Sequence, residues 1–342
     1  VKLIIFIVSI LLSFTSVAEQ SKQVIHPKIG VRTVTFFDKS RDRPITTEIF
    51  YPADPKAKTK ILESVWKREP EARDSLLSIE KDKYPLILFS HGYQGSRFNS
   101  IWLMYALVKK GYIVASVEHY GDTSDLFLPK EILKPWNRPK DVSFVITEIL
   151  QDSFLKDRID SDKIGFVGFS NGGFTGIWLA GGRSENFDVN KILSKYPIQA
   201  IEEDPSLLDN INYDIGKKSY FDPRIKAFFL MAPSFGFVFD KAGLKQIKKP
   251  VSIVSGAEDE VVNIHENAEH YAQYIPHSTL WSIPGKVGHF VFLSEPSRLG
   301  KKQLPSILIV DDPSINRAKI HKEVEAAAIK FFFKTNQVTA TN

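Results

Sequence analysis

The chain contains no cysteine. That excludes disulfides, a lipidated-cysteine anchor and a cysteine nucleophile, so stability has to come from a buried core. Beyond the extreme N-terminus, no apolar run is long enough to cross a bilayer as a helix. Strong charge of either sign is also lacking. The formal net charge is +5, and the Lys and Arg residues are spread along the chain, which argues against nucleic-acid binding. There is no repeat period and no polar low-complexity tract. What is present suffices for a core: 342 residues, 43% hydrophobic and 12% aromatic, the size of one large domain or two ordinary ones.

The first residues have the pattern of an export signal. Lys2 supplies a positive start, and Leu3 to Phe14 is apolar over about twelve residues, shorter than a comfortable membrane span. Ser16-Val17-Ala18 places small residues at the two positions a signal peptidase reads. The expectation is cleavage after Ala18, a single domain over 19–342 and a periplasmic or secreted location. Val1 fits a non-ATG start codon, which points to a bacterial source. The alternative is a short buried element.

Further along, apolar runs alternate with amphipathic stretches. Thr33 to Phe37 and Thr46 to Tyr51 predict two strands around a charged turn. Residues 53–83 are polar and Lys-rich, an insertion or a surface helix. Pro85–Ser90 and Tyr112–Val117 are continuous apolar runs, as expected of strands buried on both faces. Three more strands are predicted at Ile225–Met231, Val251–Val254 and Leu280–Ile283. Helices are predicted at Ile101–Lys110, over 140–155, over 262–275, in a Lys-rich stretch between Met231 and Val251, and from a cap at Ser314 through Phe333. Such alternation predicts an α/β fold: a mostly parallel central sheet with helices on both faces and ligands beyond the carboxyl ends of the strands. Residues 183–223 break the alternation, being long, polar and marked by Tyr196, Tyr213 and Tyr220. They predict an inserted cap or a peripheral insertion.

Ile164 to Gly173 is the most informative segment. An apolar run ends in Gly168-Phe169-Ser170-Asn171-Gly172, and an apolar helix-like run follows from Phe174 to Ala180. Strand, tight turn and helix in that order form a nucleophile elbow, which pushes the Ser170 hydroxyl out of the sheet and tolerates only glycine on either side. A serine hydroxyl needs a base to take its proton, and that base needs a carboxylate to orient it. With the order Ser, acid, His, the acid is expected after a later strand. Val251 to Val254 leads to Gly256 and Asp259, with Glu258 and Glu260 as neighbours; spacing favours Asp259. The base is expected after the last strand, where Gly288-His289-Phe290 sits. His265, His270 and His321 fall on predicted helices and His277 precedes its strand, so these read as surface or packing residues. His265 and His270 lie about 140° apart around a helix and do not readily share an ion, so no metal is expected.

Oxyanion donors are expected from two backbone N–H groups: Asn171, after the nucleophile, and Tyr93, in the loop Ser90-His91-Gly92-Tyr93-Gln94-Gly95. His91 reads as structural. His119, at the end of its strand, points to the same rim, either as a substrate contact or as a structural histidine.

These features resemble the α/β-hydrolase superfamily, and within it the group of predicted dienelactone hydrolases and platelet-activating-factor acetylhydrolase-like proteins. The similarity rests on Gly30-x-Arg32, Arg43-Pro44, Tyr51-Pro52-Ala53, Ser90-His91-Gly92, Glu118-His119-Tyr120-Gly121, Arg138-Pro139-x-Asp141-Val142, the elbow, Asp222-Pro223-Arg224-Ile225-Lys226-Ala227 and Gly288-His289-Phe290. Two departures matter. Dienelactone hydrolases carry a cysteine nucleophile where this chain has Ser170. The animal acetylhydrolases take their acid from the strand after the elbow, where Phe229-Leu230-Met231-Ala232-Pro233 offers no carboxylate. The resemblance implies a serine esterase acting on small-molecule or lipid esters, with no cofactor. A phospholipase, lipase or acetylhydrolase is the nearest alternative, and a catalytically inert binding protein of the same fold is the rival from another class.

Overall fold

The computed structural model describes residues 26–338; the expected signal segment and its cleavage site lie outside the described residues. Strands β1 (Lys28–Asp38) and β2 (Arg43–Ala53) form an antiparallel pair, with the short β3 (Glu71–Arg73) parallel to β1 at the edge. Then follow β4 (Tyr84–Ser90), α1 (Ile101–Lys109), β5 (Ile113–Val117), α2 (Pro129–Ile132), α3 (Asn137–Ile149), β6 (Ile159–Phe169) and α4 (Asn171–Leu179). The inserted segment contributes α5 (Val189–Lys195) and α6 (Gln199–Glu203). The remainder is β7 (Ile225–Met231), α7 (Lys241–Lys245), β8 (Val251–Gly256), α8 (Ala268–Tyr274), β9 (Ser278–Ile283), α9 (Gly300–Gln303), α10 (Ser306–Ile309) and α11 (Arg317–Val338).

The strands form one sheet in the order β3-β1-β2-β5-β4-β6-β7-β8-β9. From β5 to β9 every pairing is parallel, and β2 joins β5 antiparallel. Side chains alternate across the sheet. Leu86 and Leu88 face the core made with α3, α4, α7 and α8, while Ile87 and Phe89 face the core made with α1 and α11. Both faces are therefore buried, which is why the central strands are apolar without alternation. The chain leaves β4 for β5 on one side and returns to β6 on the other. That reversal opens a crevice at the carboxyl ends of β4 and β6, where Ser90 pairs with Gly168.

The sequence expectations differ from the structure mainly at helix ends. The polar stretch 53–83 holds no helix; it is loop around β3, anchored by buried Trp66, Ala72 and Leu77. The helix expected over 140–155 stops at Ile149, because the Asp152 carboxylate accepts the Phe154 N–H and turns the chain. The stretch 262–267 is a turn rather than helix: Asn263 Oδ1 accepts the His265 and Glu266 N–H groups, so His265 lies outside α8. The last helix is capped by Asn316, whose side chain accepts the Lys319 N–H. The Ser314 hydroxyl is taken by Asp312 instead.

Phe332 shows what holds α11 down. It is buried and packs over Gly165, where a Cβ would lie 2.6 Å from its ring, and beside Tyr112 and Phe229. Phe332→Ala should destabilise the fold by about 3–5 kcal/mol, since the rigid sheet cannot collapse into the space. Urea unfolding measures this; a loss under about 1 kcal/mol would mean that α11 is not fastened here.

Candidate active site

Ser170 follows β6 directly and opens α4. Its backbone has φ +53°, a left-handed value that a non-glycine residue holds only under constraint. Three hydrogen bonds supply that constraint. The Ser170 N–H donates to the Met231 carbonyl at 2.9 Å, and the Ser170 carbonyl accepts from Phe174 at 3.1 Å and Ser234 at 3.2 Å. The flanking glycines are required by space: a Cβ on Gly168 would collide with the Gly172 carbonyl, and one on Gly172 with the Ser90 carbonyl.

The structure brings Ser170, His289 and Asp259 into one chain of hydrogen bonds. Ser170 Oγ lies 3.0 Å from His289 Nε2, and His289 Nδ1 lies 2.7 Å from Asp259 Oδ2. All three are buried. Asp259 is the tip of the turn after β8, and its other oxygen accepts the Val261 and Val262 N–H groups at 3.0 and 2.7 Å. A carboxylate so held accepts a hydrogen bond from the Nδ1 N–H, which keeps the proton on Nδ1 and leaves Nε2 free to take one from the serine. Glu258 and Glu260 are exposed and have no such bonds. Phe169, not Phe290 alone, supports the imidazole, its ring centroid 4.9 Å from that of His289 against 5.2 Å for Phe290.

Tyr93 and Asn171 both line the cavity that contains Ser170. Among the described residues neither N–H has a protein acceptor, and Asn171 is the first residue of its helix, where the N–H has no intrahelical partner. The peptide that carries the Tyr93 N–H is aimed from its other end. The Gly92 carbonyl accepts from His91 Nδ1 at 2.7 Å, and His91 Nε2 accepts the His119 N–H at 3.1 Å. His91 is thus a neutral, fully engaged structural residue, and burial, with the nearby Arg138 cation, pushes its imidazole well below the usual range.

His119 does not line the cavity, so a substrate contact is excluded for it in this geometry. It is fully buried between Ser90 Oγ at 2.8 Å and Asp141 Oδ2 at 3.0 Å. Burial, reinforced by Arg138, lowers its pKa to about 3. Asp141 also accepts two bonds from Arg43 and one from Arg41. Burial works to raise the Asp141 carboxyl, but the His119 and Arg43 contacts outweigh it and hold the group well below the usual carboxylate range. Arg138 pairs with Asp122 and donates to the His91 carbonyl, while Asp122 accepts the Gln94 N–H at 2.8 Å. This buried network grips the loop 91–95 from beneath. Sequence spacing gave Arg138 and Asp141, both on α3, no role; their partners come from the start of β2 and the turn before it and from the loops after β4 and β5, which only the fold assembles.

The cavity has a volume of about 370 Å³. Much of its apolar wall comes from the segment 183–223, through Phe187, Val189, Ile192, Leu193 and Ile198, so that segment is not peripheral. Ser234 and Phe235, after β7, were not singled out from sequence; the Ser234 hydroxyl donates to the Asn171 side chain at 2.9 Å. Among the described residues no cluster of His, Asp and Glu could hold a metal, and no helix is long and apolar enough to cross a membrane. His265 pairs with Glu269, His270 with the Phe239 carbonyl, and His321 with the Val291 carbonyl.

His321 also stacks on Trp102, and burial lowers its pKa to about 4. An unfolded histidine titrates near 6.5, so below that pH the unfolded chain takes up protons that the folded one refuses. Stability should therefore be full above about pH 6.5 and fall as pH drops towards 4, on the order of 2–3 kcal/mol from His321 alone. Denaturant unfolding from pH 7.5 to 4 measures the slope, which His321→Gln should flatten. An unchanged slope in that variant would show that His321 takes up its proton in the folded state.

A family profile described as platelet-activating factor acetylhydrolase, isoform II, matches residues 56–127, the part holding β4, the loop 91–95 and His119. Curated relatives include the acylamino-acid-releasing enzyme of Mus musculus, 25% identical over 204 residues, and that of Homo sapiens, 24% identical over 202 residues. Those matches cover 57% and 56% of this chain but 26% of each relative, so the chain spans about a quarter of their length. A ferulic acid esterase from Streptomyces cinnamoneus superposes with a TM-score of 0.62 at 17% identity, covering 93% of this chain and 92% of its own. The chain has the α/β-hydrolase fold, carries the Ser–His–Asp arrangement of a serine hydrolase at its sheet crevice, and resembles the platelet-activating-factor acetylhydrolase-like group.

Proposed function

We propose that this protein is an exported serine hydrolase that cleaves carboxylic esters through an acyl-enzyme. The observation that carries the reading is the buried chain from Ser170 to His289 to Asp259, set on a strained turn at the mouth of an apolar cavity. Ser170 Oγ attacks the ester carbonyl carbon as His289 Nε2 takes its proton. The oxygen that becomes negative is met by the Tyr93 and Asn171 N–H groups. Asp259 stabilises the imidazolium, which then gives its proton to the departing alcohol. Water repeats the sequence and frees the acid.

An ester substrate is supported by the family profile and by the esterase of the same fold. Export rests on the pattern of residues 1–18. A lipid or phospholipid-type ester is a second reading, favoured by the apolar cavity wall. An inert binding role is disfavoured because all three members of the catalytic set are present and in contact.

A fluorophosphonate probe should label the wild type and not Ser170→Ala, and that variant should lose roughly 10⁴–10⁶ in kcat on p-nitrophenyl esters. Labelling that persists in the variant would place the nucleophile elsewhere.

Asp259→Asn should cost roughly 10²–10⁴ in kcat, because the histidine loses both its tautomer and its imidazolium partner. Glu258→Gln should cost at most a few-fold. The reverse ranking, read from steady-state kinetics on one ester, would make Glu258 the acid.

A further inference from the structure

We infer that the bulky apolar half of the substrate is its acyl group, and that the alcohol leaves on the opposite, more open side; this rests on the serine-hydrolase reading above. Two hollows flank the triad. One is the cavity that holds Ser170, Tyr93 and Asn171. The other, also of about 370 Å³, is a trough in which His289 and Phe290 lie beside the charged Glu258, Glu260, Lys286 and Asp311. Val261 borders both. His289 is among the residues that line the trough and not the cavity, whereas Ser170, bonded to its Nε2, lines the cavity and not the trough.

The chemistry assigns the two halves. In acylation a bond forms from Ser170 Oγ to the carbonyl carbon, and the bond from that carbon to the alcohol oxygen breaks. The Ser170 proton goes to His289 Nε2 and from there to the alcohol oxygen, so that oxygen must depart within reach of Nε2. It departs on the trough side. The acyl carbon stays on Ser170, its oxygen turned to Tyr93 and Asn171, and its substituent has the cavity. Water then enters by the trough, gives its proton to His289 and releases the acid.

The cavity wall suits a neutral apolar acyl group. Phe174, Phe187, Ile192, Leu193, Ile198 and Phe235 dominate it. Its charged residues are already paired: Arg43 with Glu131 at 2.6 Å, Arg138 with Asp122, and Lys195 with Glu266. Phe235 is held at φ +57°, a strained conformation for a bulky side chain, with its ring edge-on to Phe174 and Tyr196, each at 5.1 Å. The fold accepts that strain at the wall of the cavity. An acetyl group would leave most of this space empty.

Two ester series test the assignment with the full chain. Along p-nitrophenyl acetate, butyrate, hexanoate and octanoate, kcat/KM should rise roughly threefold per methylene until the cavity fills, at least tenfold from acetate to hexanoate. Along ethyl, butyl and octyl acetate it should change less than threefold. Ile192→Trp should cut the hexanoate-to-acetate ratio at least tenfold. A rise along the alcohol series with none along the acyl series would reverse the orientation, and a flat response in both would also overturn it. If Ile192→Trp fails to fold, the two wild-type series decide alone. Labelling by the fluorophosphonate separates the two failures: a labelled enzyme with the wrong series sinks only this assignment, whereas no labelling and no hydrolysis of any ester sinks the hydrolase reading.

Discussion

A left-handed backbone at one residue, Ser170, is the constraint on which the site depends. Such a conformation costs on the order of 1–3 kcal/mol and persists only where the surroundings over-determine it. Here β6 delivers the residue, the Met231 carbonyl holds its N–H, and Phe174 and Ser234 hold its carbonyl. Gly172 lies against the Ser90 carbonyl with no room for a side chain. The elbow is therefore locked to β4 and β7 as well as to its own strand and helix. That is how a hydroxyl on a sharp turn stays in register with a histidine and a carboxylate from two other loops.

A second constraint lies beneath the first. Arg43, His119, Arg138, Asp122 and Asp141 form a buried set of charged and polar groups on one strand, one helix and the loop after β5, below residues 91–95. Buried ion pairs are weak sources of net stability, but breaking one leaves an unpaired charge and is costly. The set therefore behaves as a clamp. It fixes the loop through the His91 carbonyl and the Gln94 N–H, on either side of the peptide that presents the Tyr93 N–H. Ser90, His119 and Asp141 mimic the order of a catalytic triad, yet all three are sealed from solvent, and burial keeps the histidine neutral. What separates the two serine–histidine–aspartate chains is access: Ser170 opens on a cavity and Ser90 does not.

The inserted segment turns this generic machinery into a shaped site. Its helices α5 and α6 are short, and only Val189 and Ile201 in them are buried. Local propensity alone would hardly keep such helices formed, so their packing over the crevice does. In return α5, with Phe187 before it and Ile198 after it, supplies the apolar wall beside Phe174 and Phe235. The hydrogen-bonded chain and the cavity wall thus come from different parts of the molecule, the strand ends placing Ser170, Asp259 and His289 and the insertion setting much of the volume beside them.

The sequence by itself determined the elements that have a strong local cause. Unbroken apolar runs located the central strands, because a strand buried on both faces has no polar side to show. The Gly-x-Ser-x-Gly turn located Ser170, because two close backbone approaches leave no other residue type. Strand-end placement picked out Asp259 and His289, which the fold brings within hydrogen-bond distance. Helix ends were missed where side chains compete for the backbone, as Asp152, Asn263 and Asn316 do. Only the tertiary structure decided that His119 is sealed inside, that Arg138 and Asp141 serve the loop 91–95, and that residues 183–223 wall the cavity. Those outcomes depend on partners tens of residues away, such as Arg43 with Asp141, and no local pattern records which distant residue will arrive to complete a buried pair.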